Sequence, residues 1–192
     1  MPQLILASTS RYRHALLERL GLPFSAAAPE VAEDTVAGEL PPDRALRLSI
    51  AKAQAVSTRR PDAVVIGSDQ VAAIGSRILE KPGDAARCRA QLSTASGSSA
   101  RFHTGCAVIA PQAGIRLVHL DTTTVFFRSL TGQEIERYVE REQPLDCAGG
   151  FRVEGLGISL FESIESSDPT ALIGLPLIWL AGALRRAGFS VP

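Results

Sequence analysis

Short apolar runs alternate with amphipathic stretches along the chain, and this alternation predicts both strands and helices. The runs typical of strands cover residues 4–7, 24–28, 63–67, 71–74, 77–79, 98–110, 115–128 and 160–164. The stretches whose apolar positions are spaced for one helix face cover residues 11–20, 43–60, 85–92, 131–142 and 168–186. Because helices mix with short and long strands, the pattern predicts an α/β or α+β fold with one mixed sheet.

Turn and capping residues mark several boundaries between these elements. Gly75-Ser76 lies between two short apolar runs, which predicts a hairpin turn. Thr131 followed by Glu134 forms a capping box, the usual start of a helix. Asp168-Pro169 predicts the start of the last helix.

The length and the net charge of the chain predict one domain and argue against a protein that coats nucleic acid or spans a membrane. The chain has 192 residues, which at about 100–200 residues per domain predicts a single domain, at most divided into two lobes. Its 20 basic and 20 acidic residues give a net charge of zero, which argues against a protein that coats nucleic acid. The longest uncharged stretch, residues 169–184, contains Pro176 and is shorter than the ~20 residues of a membrane span.

The cysteines and the first residues favour a cytoplasmic location. The chain has three cysteines, Cys88, Cys106 and Cys147, and no C-x-x-C pair. An odd number without such a pair predicts neither a disulfide framework nor a structural zinc site. Residues 1–7 lack the basic start and long apolar core of a signal peptide.

The basic residues are unevenly divided between the two types. Of the 20 basic residues, only two are lysines, Lys52 and Lys81, and the others are arginines. Either this is chance, or the two positions require the compact ammonium of lysine.

The segment from Ser8 to Arg13 has the features of a phosphate site. It joins a strand to a helix and supplies three hydroxyls, free backbone N–H groups at the helix start, and the cations Arg11 and Arg13. The alternative is an ordinary capped helix whose arginines are solvated.

The segment Gly67-Ser68-Asp69-Gln70 follows an apolar run predicted to be a buried strand. An acidic residue just beyond such a strand lies where α/β proteins usually place their chemistry. Asp69 is therefore a candidate metal ligand or general base, and the alternative is a turn residue that bonds its own backbone.

Residues 147–157 contain four glycines, which allow a ligand to approach the backbone closely. The segment matches neither a dinucleotide-binding fingerprint nor a phosphate-binding P-loop. A flexible surface loop remains the alternative.

Taken together, these segments resemble the Maf family of nucleoside triphosphate pyrophosphatases. The similar motifs occur in the same order along nearly the whole chain: residues 6–13, Pro29-Glu30-Val31, Glu33, Ala51-Lys52-Ala53, Gly67–Val71, Lys81-Pro82, His103-Thr104-Gly105, Cys147-Ala148-Gly149, Glu154-Gly155 and Gly174–Leu177. The resemblance implies an α/β fold with a mixed sheet and helices around a central cleft, related in shape to the inosine triphosphate pyrophosphatases.

The resemblance also implies a reaction and its residues. The reaction is metal-assisted hydrolysis between the α- and β-phosphates, with Mg²⁺ or Mn²⁺ as the cofactor. By this resemblance Asp69 is the proton acceptor, and Asp69 and Glu33 are the metal ligands. Lys52 and Lys81 complete the catalytic residues. Ser8 and Arg13 bind the phosphates. Several cations suit this role, because a triphosphate carries about four negative charges.

Base selection is implied to depend on residues 12, 70 and 154. A family branch acting on dTTP and UTP typically has Arg, Thr and Gln there, whereas this chain has Tyr12, Gln70 and Glu154. That set is similar to the branch acting on N7-methylated GTP. Glu154 can accept both N–H donors of guanine, and the Tyr12 ring can stack on a cationic methylated base.

Two alternatives remain open at this point. The first keeps the chemistry and changes the substrate to dTTP or UTP. The second is a non-catalytic, nucleotide-binding regulator of septum formation, a process to which Maf proteins have been linked. The expected partner is a nucleoside triphosphate, not nucleic acid or membrane, and a homodimer is open.

Overall fold

The computed structural model describes residues 2–192. Within that range the α-helices are α1 Arg11–Glu18, α2 Pro41–Arg59, α3 Ala85–Ala95, α4 Gly132–Glu142 and α5 Leu177–Arg186. The strands are β1 Leu4–Leu6, β2 Ser25–Ala26, β3 Val64–Ile74, β4 Arg77–Leu79, β5 Ser99–Ala110, β6 Ile115–Phe127 and β7 Phe161–Glu165. Short 3₁₀ turns lie at Pro111–Ala113, Ala148–Gly150, Leu156–Leu160 and Ala171–Ile173.

The strands of residues 2–192 form one seven-stranded sheet in the order β2-β1-β3-β5-β6-β7, with β4 paired to β3. β1 is parallel to both β2 and β3, whereas β4 is antiparallel to β3 and β7 is antiparallel to β6. The predicted mixed α/β sheet is confirmed. No helix within these residues is long and apolar enough to span a membrane.

The chain divides into two compact units. The first unit contains the residues up to Gln70, Thr104–Asp121 and Asp168–Pro192. The second unit contains Val71–His103 and Thr122–Ser167.

The first unit has three layers, because side chains on β1 alternate between two apolar clusters. Leu4 and Leu6 lie in a cluster with the buried leucines of α1 and α5. Ile5 lies in a second cluster, together with Val56 of α2. The sheet of this unit is therefore covered by α1 and α5 on one face and by α2 on the other.

The second unit packs α3 against α4 and has an aromatic core. The rings of Phe102, Phe127, Phe151 and Phe161 meet edge to face, with centroids 4.8–5.7 Å apart. A side chain at Gly149 would come within 3.0 Å of the Phe102 ring, so the glycine allows the Ala148–Gly150 turn to lie on this core.

The predicted end of β3 and the predicted start of the last helix are wrong, and both errors affect the site; other element ends differ by a few residues. β3 does not end at Gly67 but continues to Ile74, because its apolar second half pairs with β4 through the predicted hairpin. Asp69 therefore lies inside the strand, between the segment paired with β1 and the segment paired with β4.

The last helix begins at Leu177 rather than near Asp168. Gly174 has a φ of 129°, which interrupts the helical backbone, and Pro176 has no N–H to continue it. The capping box at Thr131 and Glu134 is confirmed at the start of α4.

Candidate active site

The junction of β1 and α1 is built from hydroxyl side chains. Ser8 is buried, and its Oγ accepts the Ser10 N–H at 3.1 Å. Ser10 is the N-cap of α1, and its Oγ accepts the Arg13 N–H at 3.4 Å. Since β1 and β3 are parallel with Leu6 opposite Ile66, Ser8 lies at the same edge of the sheet as Asp69.

Two glycines bring α2 into direct contact with the sheet. A Cβ at Gly67 would lie 2.3 Å from the Ser49 carbonyl oxygen and 2.5 Å from the Ala53 nitrogen. A Cβ at Gly105, on the neighbouring strand, would lie 2.3 Å from the Ala45 carbonyl oxygen. Because neither strand presents a side chain there, the helix backbone lies on the strand backbones, and Lys52 reaches β3.

Lys52 joins two carboxylates. Its Nζ lies 2.6 Å from Asp69 Oδ1 and 2.6 Å from Glu33 Oε1. The Lys52 and Asp69 side chains are only 8% and 10% exposed, whereas Glu33 is 54% exposed. One buried ammonium thus lies against two carboxylates, a buried one that it compensates and a half-exposed one that remains partly solvated. The structure brings together three predicted site residues.

Arg13 adds a second, partly buried cation. Burial lowers the pKa of its guanidinium, while the carboxylates of Asp69 and Glu33 act in the opposite direction. Arginine remains charged despite such a shift. Its Nε donates to the Gly174 carbonyl at 3.1 Å. Arg13 is therefore a fixed positive charge within electrostatic reach of the Lys52 cluster.

Gln70 directs its amide nitrogen into the protein. Nε2 lies 3.0 Å from Thr104 Oγ1, 3.0 Å from the Ala171 carbonyl and 2.9 Å from the Leu172 carbonyl. These contacts link β3 to the 3₁₀ turn before α5. The predicted base-selecting role of Gln70 stays a prediction, and its donor groups are engaged inside the first unit.

Tyr12, in the first turn of α1, is in contact with its neighbour Arg11. The Arg11 guanidinium lies 4.8 Å from the centre of the Tyr12 ring and donates to the phenol oxygen at 2.7 Å. The ring therefore already faces one cation. A cationic base at Tyr12 would stack on the other face or displace Arg11.

The remaining predicted residues, Lys81 and Glu154, belong to the second unit. Lys81 is exposed between β4 and α3, and Glu154 is exposed in the glycine-rich segment. Their roles in catalysis and base selection stay predictions.

The glycine-rich segment is anchored within the second unit. A Cβ at Gly150 would lie 3.1 Å from Cys88 Sγ, and one at Gly155 would lie 2.5 Å from Glu142 Oε1. Glu142 Oε2 also accepts the Leu156 N–H at 2.6 Å. These glycines permit close packing against α3 and α4, which argues against an unstructured surface loop.

A metal ion would need ligands beyond the protein. Among residues 2–192, no group of three or more His, Cys, Asp and Glu side chains is arranged to hold a metal. Glu33 and Asp69 approach the same ammonium, so two carboxylates are available near one point. Mg²⁺ is often bound by one or two carboxylates, with substrate phosphates and water completing its shell.

Four residues whose positions were noted in the sequence, but to which no role in the site was given, hold the backbone around it: Ser68, Thr104, Asp168 and Gly174. Ser68 Oγ lies 2.9 Å from the Gly105 carbonyl and 2.7 Å from the Gly174 carbonyl. The sequence does mark the turn before α5, because the glycine and the proline of Gly174-Leu175-Pro176 interrupt the helical pattern there.

The fold and the site of this chain thus combine a mixed α/β sheet with a buried lysine, a partly buried arginine and two carboxylates at one edge. A family model described as "Maf-like protein" matches residues 3–187. The chain belongs to the Maf family.

Individual relatives agree with this assignment. A 7-methyl-GTP pyrophosphatase of Xanthomonas axonopodis pv. citri is 55% identical over 193 residues, covering 100% of both chains. A protein of the same name from Aromatoleum aromaticum is 50% identical over 190 residues, covering 99% of this chain and 98% of its own. The Staphylococcus aureus Ham1 protein has a TM-score of 0.48 at 13% identity, covering 81% of this chain and 89% of its own.

Proposed function

We propose that this protein is a nucleoside triphosphate pyrophosphatase that acts on N7-methyl-GTP. The observation that carries the proposal is Lys52, buried and held 2.6 Å from both Asp69 and Glu33 in a Maf-family chain. The relatives at 50–55% identity carry the name of this activity. The products are N7-methyl-GMP and pyrophosphate.

The charges of the site suit hydrolysis of a triphosphate. Water attacks the α-phosphorus, the bond from that phosphorus to the oxygen that bridges the α- and β-phosphates breaks, and pyrophosphate leaves with the bonding electron pair. Asp69 accepts the proton of the attacking water, because water is a poor nucleophile at neutral pH. Arg13 and Lys52 stabilise the negative charge that accumulates on the leaving group, and Ser8 and Lys81 complete the phosphate contacts.

A divalent cation, Mg²⁺ or Mn²⁺, is part of this proposal. Glu33 and Asp69 would hold it, since each carboxylate has a second oxygen besides the one facing Lys52 Nζ. Such an ion supplies positive charge to the phosphates in the transition state. Two hard oxygen donors suit Mg²⁺ or Mn²⁺ when the substrate provides the remaining ligands.

Base selection is assigned to Glu154 and Tyr12. A carboxylate accepts two hydrogen bonds from the adjacent N–H groups of guanine, whereas uracil and thymine offer one such donor. The aromatic ring of Tyr12 favours a base that carries the positive charge of N7-methylation. The same arrangement disfavours the dTTP and UTP activity of the alternative branch.

The proposed location is the cytoplasm. None of the three cysteines, Cys88, Cys106 and Cys147, is in a disulfide, which agrees with a reducing compartment.

Pyrophosphate release by an Asp69→Asn variant tests the catalytic assignment. We expect turnover to fall by about 10²–10⁴-fold, the usual contribution of a general base. Asp62→Asn is the matched control, because Asp62 is exposed and lies 3.9 Å from Arg60 in a weak surface pair. Wild-type turnover by Asp69→Asn would refute the assignment. Nucleotide binding without turnover in the wild type would instead favour the regulator of septum formation.

A further inference from the structure

Glu33 lies in an exposed loop between β2 and α2. We use "acidic loop" for residues 30–40, which contain four carboxylate side chains: Glu30, Glu33, Asp34 and Glu39. The apolar side chains of Val36 and Leu40 are 50% and 59% exposed, so burial of apolar surface contributes little to the position of the loop. The acidic loop therefore depends on polar contacts with its neighbours.

Arg47 of α2 holds the acidic loop on both sides of its tip. Its Nε lies 2.5 Å from Glu39 Oε1 and its Nη2 lies 2.7 Å from Glu39 Oε2, the paired geometry in which arginine binds a carboxylate most strongly. Nη2 also donates to the Asp34 carbonyl at 3.1 Å. The Glu39 side chain is only 10% exposed, so water screens this pair less than an ordinary surface pair. One side chain thus fixes the end of the loop and the residue that follows Glu33.

Other side chains of α2 contact the acidic loop as well. Arg59 Nη1 lies 2.5 Å from the first carboxylate of the loop. Arg44 Nη2 donates to the Glu33 carbonyl at 3.4 Å, near the limit for a hydrogen bond. Lys52 Nζ lies 2.6 Å from the Glu33 carboxylate itself. To these contacts Arg47 adds a connection that joins the two sides of the loop tip to one point on α2.

The two carboxylates at Lys52 differ in how they are fixed. Asp69 belongs to β3 and its side chain is 10% exposed, whereas the Glu33 side chain is 54% exposed. A mobile glutamate loses rotamer freedom when it binds an ion, and this loss weakens binding. A cation held by both carboxylates is therefore bound more tightly when the acidic loop is already in place.

We propose that Arg47 is a positioning residue for the divalent cation, which keeps Glu33 near Asp69 by holding the acidic loop on α2. The proposal rests on the proposed function for the identity of the ligand, Mg²⁺ or Mn²⁺. In this role Arg47 contacts neither the cation nor the nucleotide. A residue that acts in this way changes the affinity for the cation and leaves the ratio between nucleotides unchanged.

An Arg47→Lys variant tests the proposal, because lysine keeps the positive charge but cannot form the paired contacts of a guanidinium. We expect the dissociation constant of Mn²⁺, measured without nucleotide from the electron paramagnetic resonance of free Mn²⁺, to rise about three- to tenfold. The rise stays below the full effect of the lost contacts, because Lys52 and Arg44 keep theirs with Glu33. Turnover of N7-methyl-GTP should fall at limiting Mn²⁺ and recover in excess Mn²⁺.

Arg89→Lys is the matched control for this substitution. Arg89 pairs with Glu136 at 3.1 Å, and its side chain is 38% exposed, close to the 36% of Arg47. Arg89 belongs to α3 in the second unit, whereas the acidic loop belongs to the first. The control should therefore leave both the affinity for Mn²⁺ and the turnover unchanged.

A double-mutant cycle with Glu33→Gln separates the positioning of Glu33 from a general loss of structure. Without the Glu33 carboxylate there is no charged ligand for Arg47 to position, so in that background Arg47→Lys should change Mn²⁺ affinity by less than about twofold. An equal loss in both backgrounds would overturn the proposal. So would unchanged Mn²⁺ affinity in Arg47→Lys, or a loss of turnover that excess Mn²⁺ does not restore.

A second variant covers the case in which Arg47→Lys does not fold. Glu39→Gln breaks the same pair from the side of the loop, and the same loss of Mn²⁺ affinity is expected. The test is separate from that of the proposed function, because Mn²⁺ binding needs no turnover. A wild type that binds Mn²⁺ but hydrolyses no nucleotide refutes only the proposed function. One that hydrolyses nucleotides without binding Mn²⁺ refutes the role of Arg47 and leaves the reaction standing.

Discussion

Replacing Gly67 by alanine tests how α2 is held against the sheet and how Lys52 is positioned. The added Cβ would lie 2.3 Å from the Ser49 carbonyl oxygen, whereas ordinary van der Waals contacts begin at 3.4 Å. Relief of this overlap requires α2 and β3 to separate by about 1 Å, because the obstructing atoms are backbone and cannot rotate away. Overpacking of this kind typically costs about 1–3 kcal/mol of unfolding free energy. For a chain of this size that loss lowers Tm by about 2–12 °C.

The same displacement acts on Lys52. A shift of about 1 Å added to its 2.6 Å contact with Asp69 Oδ1 would exceed the range of a hydrogen bond. We therefore expect kcat/KM to fall by on the order of 10²-fold, the usual cost of misplacing a catalytic group by that distance. The assays are urea unfolding followed by circular dichroism, and pyrophosphate release measured well below Tm.

The control for this prediction is the same substitution where space is available. Gly132→Ala, at the first residue of α4, meets no atom within 4 Å, and alanine favours helix by up to about 1 kcal/mol. That variant should be at least as stable as the wild type and fully active. Gly105→Ala should behave like Gly67→Ala, since its Cβ would lie 2.3 Å from the Ala45 carbonyl oxygen. If Gly67→Ala keeps both its stability and its turnover, α2 does not depend on close backbone contact at Gly67.

Two further predictions concern base selection and pH. Glu154→Gln removes one of two acceptors for guanine, so the preference for N7-methyl-GTP over UTP should fall about tenfold in kcat/KM. Burial and the neighbouring Arg101 lower the pKa of His103, so the unfolded chain takes up this proton at a higher pH than the folded chain. The neutral imidazole of His103 therefore adds to the free energy of unfolding in full above the ordinary histidine pKa of about 6.5. This contribution is lost as the pH falls through that value toward the lower pKa of the folded chain. His103→Gln should flatten urea-unfolding free energies measured between about pH 8 and 5.

Each of these predictions has a clear opposing result. An unchanged ratio between nucleotides in Glu154→Gln would remove Glu154 from base selection. Glu162→Gln is its matched control, since Glu162 is exposed on β7 of the same unit. For His103, a pH profile of stability in the variant that matches the wild type would mean that other groups carry the dependence.

The elements of the sheet could be predicted because their signals are local. β6 follows from its run of β-branched and aromatic residues, and α4 follows from its capping box. The end of β3 could not be predicted in this way. Ser68, Asp69 and Gln70 are polar residues within a strand, and only pairing with β1 and β4 on either side keeps them extended.

The candidate site was predictable in its residue types but not in its contacts. The resemblance to the Maf family pointed to Asp69, Lys52, Glu33 and Arg13, and the structure brings these four together. The Gln70 contacts could not be inferred, because Ala171 and Leu172 contribute backbone carbonyls, which carry no side-chain signal. Main-chain acceptors of this kind become visible only when the chain has been folded.

The measurement that tests the central claim most directly is pyrophosphate release from N7-methyl-GTP, GTP, dTTP, UTP and ITP with Mg²⁺ or Mn²⁺. We expect the highest kcat/KM for N7-methyl-GTP, with N7-methyl-GMP and pyrophosphate as products. A preference for dTTP or UTP would keep the reaction and contradict the roles of Tyr12 and Glu154. Release of inorganic phosphate instead of pyrophosphate, or no turnover of any nucleotide, would contradict the proposed chemistry itself.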